Sequence, residues 1–146
     1  MITNNRWAHI LGVARKAKIL ALRLKKNDEK FAEDMFLLGM LHDMGYEFNQ
    51  SNESHAQVGG EILKRNNYKY WQEVFLHGNE KVTKMSDELF LLNTADMTIG
   101  PNGEDFSFEE RLDEIASRLG KESGAYQKCV IEIENLKADE RYLKIL

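Results

Sequence analysis

One cysteine and one proline in 146 residues set the first limits on this chain. Cys129 has no second thiol to pair with, so an intrachain disulfide is excluded and a reducing compartment is the simplest setting. Long hydrophobic runs are missing as well. The longest fully apolar stretch, residues 35–41, has seven residues, far short of the roughly 20 that a membrane span needs. The amino-terminal segment MITNNRWAHILGVARK lacks the continuous apolar core of a secretory signal. There is no basic excess: 24 acidic against 20 basic side chains give a net charge of −4, which argues against nonspecific nucleic-acid binding. No internal repeat and no Gly/Ser- or Pro-rich linker divides the chain. A chain of this length can bury roughly two-thirds of its unfolded surface in one core and needs no metal or disulfide merely to fold. The expectation is a soluble, cytoplasmic protein forming one domain over residues 1–146.

Period-two alternation is hard to find, whereas apolar positions recur at helical spacing almost everywhere. The first helix is expected over residues 4–26, with Ile10, Ala14, Ala17, Ala21 and Leu24 as its inner stripe. A second, carrying FAEDMFLLGMLHDMG, is apolar on nearly every side and should be central, with Gly45 as its stop. Ser54 with Gln57, and Ser107 with Glu110, have the form of capping boxes that open further helices. Residues 68–77 and 86–98 read as two more. Gly100, Pro101, Asn102 and Gly103 form a turn, Gly120 closes the helix after it, and residues 125–146 form a carboxyl-terminal amphipathic helix. The fold class expected is all-α, a bundle of about seven helices. Trp7, Phe36, Trp71, Phe75 and Phe90 are assigned to the core, Gly59-Gly60 to close helix packing, and Cys129 to a small buried role.

Ionisable residues stand where apolar ones are expected. The four histidines, His9, His42, His55 and His77, can each be set against the apolar stripe of their own helix, His9 least centrally. Asp43 follows directly on MFLLGMLH, and Asp96 lies at i+7 from Leu89 and i+4 from Leu92. A single inward histidine is ordinarily a core residue bonded to a carbonyl, and a single buried aspartate ordinarily a cap or ion-pair partner. Six such placements together call for another explanation. An unpaired carboxylate taken out of water must be protonated, salt-bridged or bound to a cation. No Lys or Arg lies on either apolar stripe, so imidazoles with a divalent metal answer for both acids at once.

Taken in order, Arg6 and His9 in RWAHILGVARKA, His42-Asp43 in LLGMLHDMG, His55 in SHAQVGGEIL, His77 in VFLHGNE and Asp96 in LLNTADM resemble the HD superfamily of metal-dependent phosphohydrolases. The segment GPNGEDFSFEERLDEIASRLG is similar to the tail of small stand-alone members, so the likeness is strongest over residues 6–120. The resemblance implies an HD-type helical bundle. It further implies that His9, His42, Asp43 and Asp96 hold a first metal, and that His55 and His77 hold a second with Asp43 bridging. Four imidazoles and two carboxylates suit one or two ions of Fe, Mn, Zn, Co or Ni better than Mg or Ca.

The activity implied is hydrolysis of a phosphate ester, of a nucleotide or another small phosphorylated metabolite, by metal-activated hydroxide. Asp43 would serve catalysis as well as binding. Arg6 is the first choice for a phosphate contact, with Lys81 and Arg111 behind it as charges that otherwise belong to a solvated surface. Position 46 is Tyr, so the Lys that follows HD-x-G in the HD-GYP phosphodiesterases is absent, as is the acidic pair of the alarmone hydrolases. Glu47 is a further acid–base candidate. Residues 47–53 and the turn 100–105 are candidate rims of the pocket. Two other readings stay open: a non-catalytic metal- or nucleotide-binding module, and a di-iron oxygenase.

Overall fold

A computed structural model describes residues 2–48 and 54–146. Among them there are nine helices: α1 Asn4–Leu24, α2 Glu29–Leu41, α3 Gly45–Phe48, α4 His55–Arg65, α5 Trp71–Leu76, α6 Asp87–Asp96, α7 Phe108–Leu119, α8 Gly124–Ala138 and α9 Tyr142–Ile145. The described residues contain no strand; Ile99 and Asp105 form an isolated antiparallel bridge across the Gly100–Gly103 turn. The all-α expectation holds. The two helices beyond the seven are the single turns α3 and α9. None of the helices is long and apolar enough to cross a membrane.

The helix starts follow from side chains that satisfy the free first-turn N–H groups. Thr3, Asp28, Ser54, Ser86, Ser107 and Ser123 each accept a backbone N–H two or three residues into their helix. Of the two expected capping boxes, Ser107 and Glu110 form a reciprocal one, whereas Ser54 caps with its own hydroxyl alone. Gly120, at φ 87°, ends α7.

The central helix is α6, not α2. Every residue from Leu89 to Ala95 is buried, and Phe90, Leu91, Leu92 and Ala95 are 0 % exposed. Truncating Leu91 or Leu92 to Ala would cost about 2–5 kcal/mol. α2 instead leaves Leu37 half exposed and packs along α1. The approach there is close enough that a Cβ on Gly39 would lie 2.5 Å from Ala14 Cα.

α2 also ends earlier than expected, at Leu41, and Gly45 opens α3 rather than closing α2. Gly59 allows the crossing of α3 on α4, and Gly60 that of α5 on α4, as the pair Gly59-Gly60 suggested.

Of the aromatic residues assigned to the core, Phe90 is fully enclosed, Phe36, Trp71 and Phe75 are partly buried, and Trp7 is 48 % exposed. The last is a correction with a simple cause: two residues on a helix are about 200° apart, so burying His9 turns Trp7 outward.

The carboxyl-terminal segment is broken at Asp139 rather than continuous. Arg141 bonds Asp87 and Asp139 and donates to the Met85 carbonyl, which fastens the α8–α9 corner onto the start of α6.

Candidate metal centre

Five separate pieces of chain deliver the six expected residues to one place. His9 lies on α1, His42 and Asp43 in the turn after α2, His55 at the first position of α4, His77 just beyond α5, and Asp96 at the end of α6. The ring centroids run in a file, His9 to His42 at 5.7 Å, His42 to His77 at 5.1 Å and His77 to His55 at 5.2 Å.

The Asp43 carboxylate stands beside the whole file. Its Oδ2 is 3.6 Å from His9 Nε2 and 3.3 Å from His42 Nε2, while its Oδ1 is 3.3 Å from His55 Nε2 and 3.5 Å from His77 Nε2. Asp96 Oδ1 is 2.9 Å from His9 Nε2 and 3.6 Å from His42 Nε2.

The rings are aimed by backbone. His42 and His77 each sit at the C-terminal boundary of a helix, where the last carbonyls lack intrahelical donors. Each turns Nδ1 back to the carbonyl three residues earlier, Gly39 O at 2.6 Å and Val74 O at 2.5 Å. His9 Nδ1 is held 3.0 Å from Gly100 O. A ring whose Nδ1–H donates to a carbonyl presents an unprotonated Nε2 when it is neutral, as metal-bound histidines do. The sequence assigned the 100–105 turn to the pocket rim; the structure gives Gly100 the task of orienting His9. Asn93, buried on α6, accepts the Gly78 N–H at 3.0 Å and so pins the backbone just after His77.

Burial departs from expectation in two places. His9, set least centrally by its stripe, is 2 % exposed, because α1 is covered by both α2 and the Gly100 turn. The side chain of His55 is the most open of the four at 30 %. Asp43 also has a basic partner that helix periodicity could not show: Arg6 Nη1 lies 3.1 Å from its Oδ2, reaching across from α1. The guanidinium rests 4.0 Å over the Tyr46 ring, and that ring stacks on His55 at 4.1 Å. Tyr46 thus links Arg6 to His55, a role no motif announced.

The electrostatics of the centre are those of acids crowded by bases. Burial by itself would lower the pKa of His42, but Asp43 and then Asp96 more than offset it and hold it well above the usual imidazole value. Burial likewise opposes ionisation of Asp43 and Asp96. The neighbouring histidines, His42 foremost, prevail and hold both carboxyls well below their ordinary range. Burial and the Asp43 charge push the Tyr46 phenol up.

The donor set fits a transition-metal cation. Nε2 of His42 and Nε2 of His77 are buried without any hydrogen-bond partner, and both face the Asp43 carboxylate. Leaving such atoms unmatched costs about 1–3 kcal/mol each, a cost a cation between them would remove. Two overlapping sets have ligand atoms close enough to share an ion: His9, His42 and Asp96, and His42, Asp43 and His77.

Several other candidates fall elsewhere. Arg111 pairs with Glu114 at 2.6 Å on its own helix. Glu47 is exposed and accepts the Ile2 N–H at 2.9 Å. Of the candidate rim 47–53, residues 49–53 lie outside the described residues. Cys129 is partly buried on α8, its thiol pushed up to about 11 by burial, which suits an inert role. Lys81 lines a cavity of about 360 Å³ together with His55, His77 and Asp96. Lys128, on α8, lines it too, and nothing in the sequence pointed to that residue.

A family model described as HD domain matches residues 6–120, most of the chain. No curated protein and no solved structure matches it. The chain belongs to the HD domain family, a superfamily of metal-dependent phosphohydrolases whose members bind divalent metals.

Proposed function

From membership of the HD domain family and the geometry of the centre, we propose that this chain is a metal-dependent phosphohydrolase that cleaves a phosphate ester of a nucleotide or another small phosphorylated metabolite. The observation that carries the reading is the convergence of four Nε2 atoms on two carboxylates, the buried Asp43 and the partly buried Asp96, with two of those nitrogens lacking any partner. His9, His42, Asp43, His55, His77 and Asp96 would hold one or two ions of Fe, Mn, Zn, Co or Ni. The division of Asp43, Oδ2 toward His9 and His42 and Oδ1 toward His55 and His77, is the arrangement a carboxylate bridging two ions would need. Bound there, a divalent ion supplies a nucleophile at neutral pH and Lewis-acid polarisation of the phosphoryl oxygens.

The chain's own residues supply the rest. Backbone carbonyls of Gly39, Val74 and Gly100 fix three rings, so the ligand atoms need no reorganisation when substrate arrives. Asp43, 2 % exposed, keeps its charge because the neighbouring histidines outweigh its burial. Arg6, its side chain one-third exposed, stands beside the centre and contacts a non-bridging phosphoryl oxygen of the substrate. Its cradle, Asp43 below and the Tyr46 ring alongside, holds the guanidinium ready.

Elemental analysis followed by phosphate release from a panel of nucleotides and sugar phosphates tests the reading. Release should vanish in Asp43→Ala that is still folded by circular dichroism, and kcat/KM should fall about 10²-fold in Arg6→Ala. Bound metal without release, or oxygen consumption by the ferrous protein, would overturn it.

A further inference from the structure

The cavity that opens on the candidate centre has walls the proposed chemistry does not use. Beyond His55, His77 and Asp96 it is lined by the Glu80–Lys81 loop and by Lys128. At about 360 Å³ it has the size of a small-molecule site, about 300–1,000 Å³. Both ammonium groups are without a carboxylate within ion-pair distance among the described residues, and Glu80 is the one acid on this outer wall. Lys16, Lys18 and Lys137 pair with Asp105, Glu33 and Glu109, whereas Lys121 and Lys144 are in no ion pair among the described residues either; what sets Lys81 and Lys128 apart is the cavity they share.

The two walls are also tied together. Asn135 of α8 donates to the Glu80 carbonyl at 2.9 Å, Asn79 Oδ1 accepts the Lys81 N–H at 3.0 Å, and Asn93 holds Gly78. The loop bearing Lys81 is therefore fixed to the helix bearing Lys128, and α8 in turn is fixed to α6 through Arg141. Lys128 lies beyond residues 6–120, outside the segment the family model matches.

We propose that Lys81 and Lys128 form an anion subsite on the outer wall of this cavity that takes a second, non-reacting phosphoryl group, so that the substrate is a diphosphate or bisphosphate rather than a simple monoester. The inference rests on the hydrolase reading for where the reacting group sits. Charge follows the same logic: a phosphoryl group held at the centre places its neighbour two bonds away in a diphosphate and farther out in a bisphosphate, and two ammonium groups against one carboxylate make the outer wall cationic.

The test uses the metal-loaded chain and two non-hydrolysable probes, methylenebisphosphonate and methylphosphonate, titrated by calorimetry. The bisphosphonate should bind about tenfold or more tightly than the monophosphonate. In Lys81→Gln/Lys128→Gln the two probes should bind alike, at unaltered metal content. Lys121→Gln/Lys144→Gln, equal in net charge but away from the cavity, should keep the preference. Equal affinities in the unmodified chain, or a preference that survives in the Lys81/Lys128 variant, would overturn the subsite. Kinetic arms with nucleoside diphosphates and with sugar bisphosphates identify which source of the second phosphoryl group is used. A binding preference that depends on the two lysines, with no phosphate released from any compound, would sink the hydrolase reading while upholding the subsite.

Discussion

Stripping the chain of metal and adding back divalent transition ions should raise its melting temperature by several degrees, and the size follows from the centre itself. Two buried Nε2 atoms, on His42 and His77, have no partner, and the two carboxylates, Asp43 at 3 % and Asp96 at 19 % side-chain exposure, are held ionised among the four rings. A ligand that engages these atoms only in the folded chain stabilises it by about 2.7 kcal/mol at a free concentration of 100 times Kd. For a chain of this length each kcal/mol moves the midpoint by roughly 2–4 °C, so the shift should be about 5–10 °C. The measurement is differential scanning calorimetry of chelator-treated protein with Mn, Fe(II), Co, Ni and Zn in turn. Asp43→Ala, which removes a carboxylate shared by all four rings, should abolish most of the shift. The reasoning would be refuted if no ion moved the midpoint, or if Asp43→Ala responded as the unmodified chain does. In that event the Arg6 guanidinium and protons on the histidines would be the whole compensation for the two acids.

Glu132, which is not one of the six candidate ligands, offers a pH test. It is buried on α8 with Oε1 unpartnered, and burial, helped by Asp96 and Glu80, pushes its carboxyl up to about 8 from 4.5. Between those values the folded chain keeps a proton that the unfolded chain has released, so stability falls as pH rises across that window. Glu132→Gln should remove that slope and be the more stable form near pH 8 by on the order of 2 kcal/mol. Equal pH slopes for the two proteins in thermal melts would refute this. Gly45→Ala tests the packing under the centre, since its methyl would run into the His55 backbone carbonyl. It should cost about 3 kcal/mol in urea unfolding and weaken metal binding. Gly124→Ala, with nothing within 4 Å, should be neutral or slightly stabilising. If the two variants had the same midpoint, the close approach of α3 and α4 would carry no weight.

Much of the centre could be read before any coordinates, because its components break the local rule that helix faces toward a core are apolar. His42, His77, Asp43 and Asp96 are conspicuous for that reason; the first three prove to be enclosed, and Asp96 lines the cavity beside them. Helix starts are legible for a similar reason: a serine hydroxyl satisfies a nearby N–H within three residues, so Ser86 or Ser107 declares itself locally. Periodicity gave less where two helices share the burial. It ranked α2 above α6 as the central helix, since both are apolar and only packing decides which is surrounded.

The sequence by itself determined that this chain is helical and marked six ionisable residues out of keeping with their helix faces, four of which are buried while His55 and Asp96 border the cavity. Tertiary structure alone decided the partners. Arg6 meets Asp43 across 37 positions, Gly100 aims His9 across 91, and α8 brings Lys128 to the cavity wall. Periodicity reports which way a side chain faces on its own helix, and it is silent on which surface of another helix it will face.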